Sequence, residues 1–111
     1  MEVYRQMNYV NLTPHPIDVQ RIDGSIMHIE PTAPAARCDE VRLEQDIFDG
    51  FRVSHPVYGE VINLPPTVEN TIYIVSKMVL DAAIWRTDLA SPGPAIRDDQ
   101  GRIIAADGFT I

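Results

Sequence analysis

Proline stands at positions 14, 16, 31, 34, 56, 65, 66, 92 and 94. Each ring fixes φ, removes a backbone donor and drives the residue before it into extended geometry, which rules out long helices and favours short segments joined by stiff turns. Residues 8 to 12 read as a short strand that ends at Thr13-Pro14-His15-Pro16. Ile17, Val19 and Ile22 then alternate with polar residues, and Asp23-Gly24 supplies a two-residue turn before Ser25-Ile26-Met27-His28-Ile29, so a β-hairpin is expected over roughly 17–30. Pro31 and Pro34 interrupt. From 36 to 44 the alternation of small or apolar with charged residues predicts one strand with a wet face. Asp49-Gly50 and Tyr58-Gly59 bracket Phe51-Arg52-Val53-Ser54, and a further strand over 59–64 closes at Pro65-Pro66.

Thr71-Ile72-Tyr73-Ile74-Val75 is the strongest apolar run; its β-branched and aromatic content predicts a buried, central strand. Ser76 changes the period. It is placed as N-cap of a helix over about 76–86, with Lys77 and Asp81 paired at i,i+4 and apolar residues on most faces, so the helix is expected to be largely covered. Ile72, Ile74, Val79 and Ile84 are the expected strand–helix core. Ser91-Pro92-Gly93-Pro94 reads as a rigid loop unsuited to helix or inner strand. A second hairpin joins 95–97 to 102–104 through Asp98-Asp99-Gln100-Gly101, and the chain closes with 107–111.

At 111 residues, with no repeat, linker or low-complexity tract, residues 1–111 are expected to form one domain around one core. Sixteen acidic residues against nine basic ones give a formal charge of −7, which disfavours nucleic acid backbones and anionic membranes. No apolar run approaches the length of a membrane span, the first six residues carry no basic or apolar leader, and the single cysteine, Cys38, can form no internal disulfide. A cytoplasmic protein is the expectation.

Eight of the nine basic residues are arginine, whose planar fork suits bidentate grips on carboxylate or phosphate. Ser76 and Lys77, the only lysine, stand where a helix N-terminus presents free amides and positive dipole charge. Arg86 and Arg97 lie downstream, near the helix end and on the final hairpin. These four are the candidate ligand contacts. Their ordinary alternatives are equally concrete: Ser76 a simple cap, Lys77 a solvated residue, Arg86 a counter-charge to its own helix end with Asp88 paired locally. His15, His28 and His55 lack chelating spacing, so no metal is expected, nor any cofactor. No Gly-x-Ser-x-Gly or Cys-His arrangement supports nucleophilic catalysis.

Val10-Asn11-Leu12-Thr13-Pro14-His15, Gly59-Glu60-Val61 with Leu64-Pro65, Tyr73-Ile74-Val75-Ser76, and Arg86-Thr87-Asp88-Leu89 through Pro92-Gly93-Pro94 to Arg97-Asp98 occur in that order. This ordered set resembles a family of small bacterial and phage or prophage proteins that open on Asn-Leu-Thr-Pro-His. The resemblance implies a setting among virion accessory proteins, regulators of host enzymes or small sponges for nucleotide-derived signals, and it carries no catalytic residue. Relatives would place glycine and cysteine after the isoleucines of the final hairpin, where this chain has Ala105-Ala106-Asp107.

The expected architecture is α+β, a mainly antiparallel sheet or small barrel of six to eight short strands with the one helix packed on it. A parallel βα unit around 72–84 is the main alternative. The expected function is a non-enzymatic binding protein for a small anionic ligand, nucleotide-derived ligands included. The rival is a structural or protein-interaction module without a small ligand. Strand edges left open between prolines predict a homodimer.

Overall fold

A computed structural model of the protein describes residues 6–111; the stretch 1–5, read above as lacking a leader, lies outside them. In chain order the elements are β1 (Asn8–Asn11), β2 (Ile17–Gln20), β3 (Ile26–Ile29), β4 (Arg37–Cys38), β5 (Val41–Phe48), β6 (Phe51–Tyr58), β7 (Val61–Ile62), β8 (Thr71–Ile74), α1 (Lys77–Ala82), β9 (Leu89–Pro92), β10 (Ala95–Arg97), β11 (Ile103–Asp107) and β12 (Phe109–Thr110). The β-rich character with one short helix is as expected. The strands, however, are shorter and more numerous than six to eight. Most pairings are antiparallel, as expected, but they are divided among two mixed four-stranded sheets and two antiparallel two-stranded ones, with no closed barrel among the described residues.

The first sheet runs β1-β8-β9-β12, with β1, β8 and β9 parallel and β12 antiparallel to β9. β8, α1 and β9 therefore make the parallel βα unit weighed as the alternative. The run at 71–75 explains why: Tyr73 and Val75 face a cluster with Leu12, Ala36, Val79, Ala83 and Leu89, while Ile74, on the opposite face by strand alternation, is also fully buried. A strand buried on both faces reads as a continuous apolar run, and such strands belong to parallel sheets covered on each side. β8 is central, hydrogen-bonded to both neighbours: Leu12 N–H donates to the Ile74 carbonyl (2.8 Å) and Val75 N–H to that of Ala90 (2.8 Å). Ser91 and Pro92, expected in a loop, belong to the inner strand β9; Pro92 is accommodated because β8 pairs with β9 only at Leu89 and Ala90, so Pro92 has a strand on one side alone.

The second sheet runs β10-β11-β2-β3 and buries Val19, Ile29 and Ala105. Both hairpins expected from sequence are present within it, β2 with β3 and β10 with β11. Their loops share one design. Arg21 N–H donates to the Ser25 carbonyl and Gly24 N–H to that of Arg21, and Asp98, Gly101 and Arg102 repeat the pattern, each glycine at positive φ. This is a three-residue loop with glycine at its end, so Asp23-Gly24 does not form the tight two-residue turn expected there.

The helix is shorter and less covered than its composition suggests. It stops at Ala82, and Arg86 N–H turns back to the Ala83 carbonyl (3.0 Å). Val79 and Ala83 are buried, but Met78 is half exposed and Ile84 is 83% exposed, which removes Ile84 from the core. Leaving the helix early lets Arg86 swing toward Asp88 and delivers Leu89 into β9. No described helix is long and apolar enough to cross a membrane.

The expected single strand over 36–44 is two. β4 pairs with β7, and β5 pairs along its whole length with β6 through an Asp49-Gly50 turn with both residues at positive φ, the two-residue hairpin geometry that matches strand twist. β5 and β6 make their extensive contacts only with each other. This arm gives the molecule extents of 56 × 39 × 29 Å and a radius of gyration of 16.8 Å, against about 13 Å for a compact domain of this length.

Candidate functional site

Three polar arrangements and one apolar one were candidates for function. The four sequence-predicted residues come first. Ser76 Oγ accepts from Val79 N–H (3.2 Å), so it caps the six-residue helix and occupies one of its free amides. Lys77 Nζ meets the Asp81 carboxylate at 3.2 Å on the surface. Arg86 grips Asp88 with two bonds of 2.8 Å, Nε to Oδ1 and a terminal nitrogen to Oδ2, with its guanidinium 5.9 Å above the Tyr73 ring. Both side chains are largely shielded, at 15% and 10% exposure. The arginine's hydrogen bonds hold the Asp88 carboxyl below the usual carboxylate range, and Asp88 raises the Arg86 guanidinium in turn. Lys77 and Arg86 line one open cleft of about 370 Å³ together with Leu80, Ile84 and Ile111. Arg97 does not line it: on β10 in the other sheet, it donates to the Gly101 carbonyl (2.7 Å) and fastens its own turn. Each cation of the cleft is thus matched by an acid, and Arg97 is elsewhere.

The second arrangement explains the Asn-Leu-Thr-Pro-His segment. Asn11 is fully buried. Its amide Nδ2 donates to the carbonyls of His15 (2.8 Å) and Ile29 (3.1 Å), and its Oδ1 accepts from the N–H (2.9 Å) and hydroxyl (2.6 Å) of Thr13. One side chain saturates its capacity by folding the 13–16 turn against β3, which is structural chemistry. Sequence reasoning passed over it, although an asparagine two residues before threonine in a proline turn is an Asx-turn signature.

The third is His28, whose Nδ1 and Nε2 each lie 2.6 Å from a carboxylate, of Asp18 and Glu30 respectively. The two acids sit at opposite ring nitrogens and do not converge on one point, so the group clasps a proton. Glu30 chiefly, then Asp18, raises the imidazole above its ordinary 6.5. A raised folded-state pKa stabilises the protein fully below the unfolded value and loses that contribution as pH rises through the folded one. The thermal midpoint should therefore fall more steeply above about pH 6.5 in the natural protein than in His28→Gln. Equal slopes in the two would remove the clasp from the stability balance.

The apolar arrangement is the 41–58 arm. Leu43, Ile47, Phe48 and Phe51 are 68%, 75%, 61% and 72% exposed, and Val41 and Val53 also face solvent. Strand alternation puts Val41, Leu43, Ile47, Pro56 and Tyr58 on one face and Phe48, Phe51, Val53 and Val57 on the other. At the base, Gly59 N–H donates to the Glu40 carbonyl (2.6 Å), and a Cβ at Gly59 would collide with the Asp39 side chain, so the two ends are clamped together. Comparison with family models, curated proteins and solved structures found no match.

Proposed function

We propose that the protein is a non-enzymatic protein-interaction module whose binding element is the 41–58 arm. The carrying observation is six large apolar side chains exposed on a hairpin whose extensive contacts, among the described residues, are all between its own two strands. An isolated two-stranded hairpin is marginal in water and contiguous exposed apolar surface is rare on monomers, so a partner is the economical reason for both. The phage or prophage setting implied by the ordered motifs, in a virion accessory or host-regulating role, belongs to the same reading. The test is excision. Replacing 41–58 by an Asn-Gly turn between the clamped residues Glu40 and Gly59 should leave the thermal midpoint within a few degrees while abolishing the role of the protein in its host. An excised protein that fails to fold would make the arm structural and end the reading.

A second reading, a small anionic ligand, is favoured by Lys77 and Arg86 sharing a cleft of about 370 Å³, a volume within the range of ligand pockets. Against it stands the one-to-one matching of those cations by Asp81 and Asp88. Native mass spectrometry of protein purified from its host separates the two: a retained small ligand supports the cleft, and the bare chain mass supports the arm.

A further inference from the structure

We propose that the partner of the arm is a second copy of this chain, joined edge to edge through β5 in one defined antiparallel register; this rests on the arm being the interaction element. The argument begins at the tip. A two-residue turn makes its flanking pair, Phe48 and Phe51, the hydrogen-bonded one, and in an antiparallel ladder such pairs alternate with non-bonded ones. The even-numbered residues of β5 therefore turn their backbone groups toward β6. Val41, Leu43, Gln45 and Ile47 turn theirs outward, where no strand among the described residues pairs with them.

The outer edge of β6 is different. Its outward positions are Arg52, Ser54, Pro56 and Tyr58, and Pro56 has no donor to offer, the usual device for blocking an edge. Glu40 fits the same parity, since it accepts from Gly59 N–H on the inner side. The arm thus has one blocked edge and one open edge, and the open one carries apolar side chains at Val41, Leu43 and Ile47.

An edge with alternate donors and acceptors is its own complement under a two-fold axis. Placing that axis at Glu44 sets Val41 opposite the partner's Ile47 and Leu43 opposite the partner's Gln45. All four outward-facing residues of each strand are then paired. The same register sets Arg42 opposite the partner's Asp46, twice, which is favourable cross-strand charge pairing. It also brings the two Glu44 side chains together. That like-charge contact is softened by Arg42 at 3.7 Å within each arm. Shifting the axis to Leu43 or Gln45 leaves outward groups of the strand unpaired, and the Gln45 register also opposes Glu44 to Asp46. An eight-residue edge buries less than the roughly 1,000 Å² expected of a stable interface, so the dimer should be weak and concentration-dependent.

Sedimentation equilibrium of the full chain from micromolar to millimolar concentration tests the proposal. The natural protein should pass from 12.4 kDa toward twice that mass. Gln45→Pro, which gives β5 the block that Pro56 gives β6 without touching an inward donor, should hold the chain at the monomer mass. Glu44→Gln should tighten association severalfold by removing the contact at the axis. Asp46→Arg should weaken it, and Arg42→Asp in the same chain should restore it. Hydrogen exchange at Ile74 amides, unchanged across the set, would show that every variant is folded. A natural protein that stays monomeric to millimolar concentration overturns the self-pairing but leaves the arm as an element for another partner. A dimer indifferent to Gln45→Pro and to Glu44→Gln would also overturn it by placing the interface elsewhere. The interaction reading itself would end on an arm-excised protein that fails to fold or that keeps its role in the host.

Discussion

Asn11→Asp is expected to destabilise the protein by about 1–3 kcal/mol, from the buried Ile29 carbonyl left without a donor, with the part-buried His15 carbonyl adding less. The Asn11 amide satisfies His15, 4 residues on, and Ile29, 18 residues on, while its oxygen accepts from Thr13. Aspartate keeps the shape and the Thr13 bonds but turns the donor into a second acceptor facing two carbonyls. It also brings a charge to a fully buried site. Burial and the facing oxygens favour the protonated acid, so the introduced carboxyl should titrate above the ordinary carboxylate range. With the folded-state pKa raised, the variant should gain stability as pH falls below neutral, whereas Asn11→Ala, which has no proton to take up, should not. Chemical denaturation of both variants at neutral and mildly acidic pH measures this. A loss below about 1 kcal/mol, or identical pH behaviour, would mean that the 13–16 turn holds itself together.

What could be read in the sequence follows how local each signal is. The 17–30 and 95–104 hairpins were legible because aspartate and glycine specify turns within four or five residues. What their loops lacked was a sign of which turn: Gly24 closes a three-residue loop, and the tight form went to Asp49-Gly50. The β5–β6 arm was hidden for the same reason. Its strands looked like parts of a meander because alternation says which residues share a face and nothing about whether another element covers that face. The start of the helix was fixed by Ser76, a local cap. Its end, at Ala82, carries no comparable cap residue in the sequence.

The candidate site was legible as residues and illegible as a place. Ser76, Lys77 and Arg86 do fall at one end of the fold, and the acids that balance them are the ones their spacing offers, Asp81 at i,i+4 from Lys77 and Asp88 paired locally with Arg86. Arg97 was grouped with them because a final hairpin had no assigned sheet; the parallel pairing of β11 with β2 carries it to the other sheet. In the sequence Asn11 is one more residue of a β run. Its role becomes visible only when β3 supplies the Ile29 carbonyl.

The apolar run around Ile74 is the opposite case, in which sequence and structure agree and the consequence can be sized. Ile74 has no exposed surface, pairs with Asn11 of β1 and Ala90 of β9, and lies on the face of β8 turned away from the α1 cluster. Ile74→Ala should cost about 2–5 kcal/mol, the lost transfer energy of the side chain plus the cavity it leaves. In a domain of this size that corresponds to a thermal midpoint lower by roughly 10–25 °C. The cost should sit at the upper end, because strands on both sides fix the backbone and leave little room for collapse. Ile84→Ala provides the control. At 83% exposure it fills no cavity, so its effect should stay within about 0.5 kcal/mol. Calorimetry of the two variants beside the natural protein decides the matter. A cost below about 1 kcal/mol at Ile74 would take β8 out of the centre of the core, and a cost at Ile84 equal to that at Ile74 would return the helix end to it.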